Sequence, residues 1–110
     1  MGSSGLDISD FEANAVEVAD ILRALANERR LMILCKLVEW GEGSVNSLAN
    51  AVGLSASALS QHLAKMRDEG LVTFRRESQT IWYRVADPRI EKLLAALYEL
   101  FCGKNRRRRV

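Results

Sequence analysis

Apolar residues recur along most of this chain with the 3.6-residue period of an amphipathic helix. The segments with this period are residues 13–26, 28–40, 44–52, 55–69 and a last one that begins at Arg89 and ends at Phe101 or Cys102. Residues 71–85 instead form two alternating runs rich in β-branched and aromatic side chains, which predicts a β-hairpin. The pattern therefore predicts a mainly α fold with one small β-hairpin.

Residues at the segment ends agree with these bounds. Four side chains stand where an oxygen can accept a hydrogen bond from the first turn of a helix: Asn27, Ser44, Ser55 and Asp87. Pro88 follows at the first position of the last helix, where its missing N–H costs nothing. Gly70 stands just after residues 55–69, as expected for a helix C-terminus that needs a positive φ.

The segment 55–69 carries an unusual outward face. Leu59, Leu63 and Met66 form its apolar stripe. The remaining positions hold small or hydrogen-bonding side chains, namely Ser57, Ser60, Gln61, His62, Ala64 and Lys65. Such a face suits a helix that must approach base edges in a DNA groove. The alternative is an ordinary solvated helix, although serine is a mediocre helix former.

The neighbouring segments extend this interpretation. A short helix, a turn with Gly53 and the helix 55–69 have the sequence shape of a helix-turn-helix, and a hairpin after it would be a wing. Alternation places Val72, Phe74, Ile81, Tyr83 and Val85 towards the core. At the hairpin tip we predict residues that reach DNA phosphates or the minor groove: Arg75, Arg76, Ser78, Gln79 and Thr80. The alternative is a charged tip that serves solubility; the turn type and register stay open.

Length and charge define one domain with two tails. We predict a flexible segment 1–12, a domain 13–102 and a basic tail 103–110. The net charge is +2, but five positive charges lie in the last seven residues, so the rest of the chain carries −3. Surplus apolar residues on the first and last helices predict a homodimer, which would set two reading helices about one DNA turn apart. No apolar run is long enough to span a membrane, and we expect a cytoplasmic protein.

Three strings carry a resemblance to a known family: LRALANERRLMILCKL, LSASALSQHLAKMRDEGLV and QTIWYRV. Over residues 16–102 the chain resembles the ArsR/SmtB family of dimeric winged-helix repressors. The resemblance implies a homodimer that binds double-stranded DNA at an inverted-repeat operator and releases it when an inducer binds. It also implies that Ser57, Ser60, Gln61, His62 and Lys65 face the DNA.

The sequence departs from the family at its metal sites. Residues 44–49, SVNSLA, lack the Cys-x-Cys pair of one site, and residues 89–102 contain no His for the other. His62 is the only His, and no nucleophile or carboxylate stands at a catalytic spacing from it. We therefore expect no metal, no cofactor and no enzymatic activity.

Cys35 and Cys102 are the two cysteines of the chain. Each could be a small buried hydrophobe. The strings MILC (residues 32–35) and YELFC (residues 98–102) also resemble the BigR/HlyU/SqrR-like subgroup, whose two thiols become bridged by a disulfide or short polysulfide and weaken DNA binding. Positive charge from Lys36, Arg30 and Lys104 is expected near these thiols, which favours the reactive thiolate.

The leading hypothesis is a homodimeric repressor with Cys35 and Cys102 as a redox or sulfur-species switch. Within the same fold, the alternative is a constitutive regulator or antirepressor resembling NolR, with incidental thiols. From another class, a protein-interaction module would use the polar helix face to contact a protein.

Overall fold

The computed structural model describes residues 8–103, which form helices and one two-stranded sheet. In chain order they are α1 (Ile8–Ala13), α2 (Ala15–Leu25), α3 (Glu28–Trp40), α4 (Val45–Val52), α5 (Ala56–Asp68), β1 (Val72–Glu77), β2 (Thr80–Val85) and α6 (Pro88–Tyr98), which continues into a π-helical turn (Glu99–Gly103). The predicted mainly α fold with a small hairpin is confirmed. Most of the basic tail, residues 104–110, lies outside the described residues.

The three middle helices have nearly the predicted bounds because their first turns are capped by side chains. Asn27 accepts from the backbone N–H of Arg30 at 3.1 Å, and Ser55 accepts from that of Ala58 at 3.0 Å. These bonds satisfy N–H groups that have no partner inside a helix. Gly70 has a φ of 81°, which lets the chain leave α5 at the expected place.

The N-terminal region differs from its prediction. Instead of one helix that begins at residue 13, α1 and α2 meet at Asn14, so residues 8–12 of the segment predicted to be flexible are helical. Every side chain of α1 is exposed. On α2, Leu25 is buried, but Val16 and Leu22 are 75% and 51% exposed. The predicted apolar face of this region is therefore only partly covered within one chain.

The core is centred on α3, which contacts α4, α6 and β2. Its most buried apolar side chains are Ile33, Leu34 and Leu37. Leu31 and Cys35, one helical turn apart on the same helix, are only half-buried. A helix with neighbours on several sides buries a wider face than one stripe, so the centre of that face depends on tertiary packing.

The hairpin has the predicted inward face. Val72 pairs with Val85 and Phe74 with Tyr83, so these side chains share one side of the sheet. Gly43, in the α3–α4 loop, extends the sheet through two hydrogen bonds with Tyr83, of 2.9 and 2.8 Å. A Cβ at Gly43 would lie 3.0 Å from Leu48 Cγ, so the close approach of this loop favours glycine. The bridge fixes the hairpin to the first half of the helix-turn-helix.

The last helix changes its winding before it ends. The sequence predicted one apolar stripe that included Phe101, but this ring is 73% exposed. Residues 99–103 form a π-helical turn, in which i→i+5 bonding includes an extra residue and rotates later side chains away from the α-helical stripe. The backbone of Cys102 belongs to this turn, but its side chain lies outside the described residues.

Candidate nucleic-acid interface

Helix α5 presents a polar face because its opposite face is locked into the core. Leu59, Leu63 and Met66 are all fully buried. The predicted DNA-facing residues form what we call the recognition face, comprising Ser57, Ser60, Gln61, His62 and Lys65; all are exposed except His62, which is half-buried. Three buried anchors over two turns fix both the position of α5 and its rotation about its axis. The recognition face is thus directed outwards by core packing.

The wing, defined as β1, β2 and their turn, is tighter than the sequence suggested. The strands extend to Glu77 and Thr80, which leaves only Ser78 and Gln79 in the turn, with Ser78 at a φ of 55°. Arg75 and Arg76 therefore lie within β1 rather than at the tip where they were predicted. Arg76, Ser78, Gln79 and Thr80 are exposed, so the end of the wing keeps several hydrogen-bonding groups in solvent.

Arg75 is held by a carboxylate. Its Nε and Nη2 atoms donate to the two carboxylate oxygens of Glu42 at 2.8 and 2.9 Å. These hydrogen bonds lower the pKa of Glu42 and raise the pKa of Arg75. A side chain that the sequence singled out for phosphate contact is therefore already engaged with an acidic group of the α3–α4 loop, 33 residues earlier in the chain.

A second ion pair supports α5 from behind, and sequence reasoning missed it. Arg30 is 9% exposed and donates to both carboxylate oxygens of Glu69, the residue at the end of α5, at 2.8 and 3.0 Å. It also donates to the Ala24 carbonyl oxygen at 3.2 Å. The Glu69 carboxylate raises the pKa of Arg30, and Arg30 lowers the pKa of Glu69. One signal in the sequence could have revealed it. Arg30 stands three residues before Ile33 and four before Leu34, so it shares their buried helix face, where a charged side chain needs a partner of opposite charge.

Cys35 lies on α3, on the side that faces α6. Two adjoining cavities of about 460 and 210 Å³, which we call hollows, lie beside it. The larger is lined mainly by apolar side chains; its residues are Leu31, Met32, Cys35, Lys36, Glu39, Leu97, Tyr98 and Phe101. The positive charge expected here is partly offset, because Lys36 pairs with Glu39 at 3.2 Å and Arg30 is directed to Glu69. The side chain of Cys102 and the whole of Lys104 lie outside the described residues.

Metal coordination needs several ligating side chains in one place, and membrane insertion by a helix needs a long apolar helix. Among the side chains that the structure describes, those of residues 8–101, no three His, Cys, Asp or Glu come together as a metal site would require. No helix in this part of the chain has the length and apolar character needed to cross a membrane.

These elements define the class of the protein. A short helix, a tight turn and a second helix with an exposed polar face, followed by a wing, make a winged helix-turn-helix. The family model of bacterial regulatory proteins of the arsR family matches residues 27–73. The chain belongs to this family and is a DNA-binding transcriptional regulator, since its relatives are regulators and not enzymes.

Three relatives show the extent of the similarity. The transcriptional activator HlyU of Vibrio cholerae is 41% identical over 100 residues, which cover 91% of this chain and 92% of HlyU. The crystal structure of the transcriptional repressor BigR from Xylella fastidiosa has a TM-score of 0.80 and 39% sequence identity to this chain, and the match covers 90% of this chain and all of that one. The nodulation protein NolR of Rhizobium meliloti is 48% identical over 83 residues, which cover 76% of this chain and 67% of NolR.

Proposed function

We propose that this protein is a homodimeric repressor that binds an inverted-repeat operator and releases it when Cys35 and Cys102 become bridged by a disulfide or a short polysulfide. In this proposal the recognition face reads base edges, and Arg75, Arg76, Gln79 and Thr80 of the wing contact the DNA backbone. Ser55, which caps α5, also contacts the DNA at this interface. The protein acts in the cytoplasm, where the chromosomal DNA lies.

The exposed polar face of α5 is the observation that carries the DNA-binding part. A helix held by three fully buried side chains can present small polar groups at a fixed angle. Gln61 can hydrogen-bond an adenine edge, and Lys65 can pair with a phosphate. Repression is favoured by the likeness to BigR, a repressor. HlyU is a transcriptional activator, and a reporter gene behind the selected operator distinguishes repression from activation.

The DNA-binding part is tested by selecting bound sequences from a random duplex pool. We expect an enriched inverted repeat. Gln61→Ala should weaken binding to the selected duplex by about 5- to 150-fold and leave nonspecific binding unchanged, because base contacts carry specificity. Lys65→Ala should weaken both and lower the salt slope by about one. Lys92→Ala, an exposed residue of α6, is the control that should change neither. No enrichment, with affinity unchanged by Lys65→Ala, would instead favour a protein-interaction module.

The position of Cys35 supports the thiol part of the proposal. The hollows beside it are open enough to admit small oxidants or sulfur species, and both are lined by residues from the end of the last helix, such as Tyr98. The backbone of Cys102 follows in the π-helical turn. A bridge would connect α3 covalently to the end of the last helix. It would thereby change the position of α5 relative to α5 of the second protomer in the dimer.

The thiol part is tested with the reduced protein in gel shifts. Diamide accepts the two electrons and two protons that leave when two thiols form a disulfide, and it should lower affinity for the selected duplex. The Cys35→Ser and Cys102→Ser variants should keep full affinity. On a non-reducing gel the oxidised protein should run as a single chain, since the proposed bridge forms within one protomer. A persulfide donor should give the same loss of affinity.

A constitutive regulator is the second candidate, favoured by the 48% identity to NolR and by the half-buried packing of Cys35. It predicts that diamide and persulfide leave DNA affinity unchanged. It also predicts that both serine variants bind as the unmodified protein does under every condition.

A further inference from the structure

A polar pocket lies beside the recognition face, between α5 and the corner where α2 meets α3. Its volume is about 240 Å³, and its lining residues are Arg23, Ala24, Ala26, Asn27, Arg30, His62 and Lys65. His62 and Lys65 also belong to the recognition face, so the pocket is continuous with the surface proposed to meet DNA. We call this the corner pocket.

The side chains of the corner pocket suit an anion. Arg23, Lys65 and Arg30 carry positive charge, and Asn27 uses its carboxamide oxygen to cap α3, which directs its NH₂ group to other acceptors. Two carboxylates stand next to these cations. Glu69 is bonded to Arg30, and Asp20 is bonded to Arg23 at 2.6 Å.

These two carboxylates are held in different ways. The Arg30–Glu69 pair is supported by burial of Arg30 and by the Ala24 carbonyl, so it forms a fixed wall of the pocket. In the Asp20–Arg23 pair the side chains are 64% and 72% exposed, and water and salt readily replace such contacts. Arg23 can therefore exchange Asp20 for a ligand, whereas Arg30 keeps Glu69.

We propose that the corner pocket binds one phosphodiester group of the operator backbone, held by Arg23 and Asn27 together with Lys65. This inference rests on the proposed DNA binding and adds Arg23 and Asn27 to the interface. The phosphate belongs to the backbone strand that borders the groove occupied by α5. The C-terminal end of α2, a helix with surplus apolar surface, would thereby become part of the DNA contact.

The test measures how affinity for the selected duplex depends on salt. Each phosphate contact contributes about 0.9 to the slope of log K against log salt concentration. Arg23→Ala should reduce the slope by about one and weaken binding to selected and unrelated duplexes by the same factor. Arg29→Ala removes an equal charge six residues further on, outside the pocket, and should keep the slope. An unchanged slope in Arg23→Ala, or an equal fall in Arg29→Ala, overturns the proposal.

A second experiment, the second arm of the test, identifies which backbone phosphate occupies the corner pocket. Single methylphosphonate linkages remove one backbone charge at a time from the selected duplex. At one linkage the neutral group should weaken DNA binding by the unmodified protein and should not weaken binding by Arg23→Ala any further. If the two effects are additive at every position, no such contact exists. Inorganic phosphate at constant ionic strength should displace the unmodified protein from the duplex more readily than it displaces Arg23→Ala, because free phosphate would occupy the same cations; equal displacement would overturn an anion site in the corner pocket.

The two arms separate this inference from the proposed function. If no sequence is enriched in the selection, DNA reading by α5 fails before the corner pocket is tested on a specific site. If a sequence is enriched but Arg23→Ala binds it with the unmodified slope, the proposed function stands and the corner pocket is not a phosphate site.

Discussion

The guanidinium group of Arg30 and the carboxylate of Glu69 form two parallel hydrogen bonds across 39 residues of sequence. Arg30 belongs to the first turn of α3 and also bonds the Ala24 carbonyl near the end of α2. Glu69 ends α5. The pair therefore connects the ends of three helices and holds the recognition helix against the corner that leads to the N-terminal helices.

Replacing Glu69 by Gln should lower the free energy of unfolding by about 1–2 kcal/mol at pH 7. The variant leaves the buried guanidinium with a neutral acceptor, but Glu69 is 37% exposed, so water limits the loss. Because Arg30 lowers the pKa of Glu69, the pair stabilises the fold above about pH 4.3 and this contribution is lost as the pH falls below that value. Urea unfolding at pH 7 and pH 3.5 measures both effects.

The difference between Glu69→Gln and the unmodified protein should thus shrink at pH 3.5. Glu12→Gln, an exposed carboxylate of α1, is the control and should unfold as the unmodified protein does at both pH values. A difference that is the same at both pH values would show that the ionised carboxylate is not what Arg30 requires.

Glu42 should weaken DNA binding by occupying Arg75. Glu42→Gln removes the charge that competes with phosphate, so affinity for the selected duplex should rise about 2- to 10-fold at low salt. Arg75→Ala should lower affinity and reduce the salt slope by about one. In the double variant, Glu42→Gln should lose most of its effect. Fluorescence anisotropy titrations give all four affinities, and a full effect of Glu42→Gln without Arg75 would refute the competition.

The core anchors of α5 should matter for stability before they matter for DNA. Leu63 is fully buried, and Leu63→Ala should reduce the free energy of unfolding by about 2–5 kcal/mol through lost burial and a cavity. Ser60→Ala on the recognition face should change it by less than about 0.5 kcal/mol. Urea denaturation checks both, and a cost below about 1 kcal/mol for Leu63→Ala would mean that α5 is not held by this contact.

The uncovered apolar residues of α2 should form part of a homodimer interface. Leu22 is 51% exposed and lines a hollow with Ile21, Ile90 and Leu93. Leu22→Glu would put a charge into this surface and should shift the protein from dimer to monomer in sedimentation velocity. Ala51→Glu, on the exposed side of α4, should leave the dimer intact. A dimer that persists at micromolar concentration with Leu22→Glu would place the interface elsewhere.

Much of the fold could be predicted because its signals are local. The caps Asn27, Ser44 and Ser55 act on backbone groups within three residues, and they set the beginnings of α3, α4 and α5. The stripe Leu59, Leu63 and Met66 fixes the buried side of α5 and, by exclusion, the recognition face. Within the described part of the chain, the helical residues 8–12, the break at Asn14 and the π-helical turn are the departures from the predicted helices.

The sequence by itself thus determined the order of the elements, the face of α5 that is exposed and the family. Tertiary structure decided what the charged residues do. Arg75 is engaged by Glu42, Arg30 is buried against Glu69, and Arg23 meets Lys65 at one pocket. Caps and helical stripes follow from hydrogen bonds and periodicity within a few residues. Ion pairs between residues 30 to 40 positions apart depend on how helices pack, and no local pattern encodes that distance.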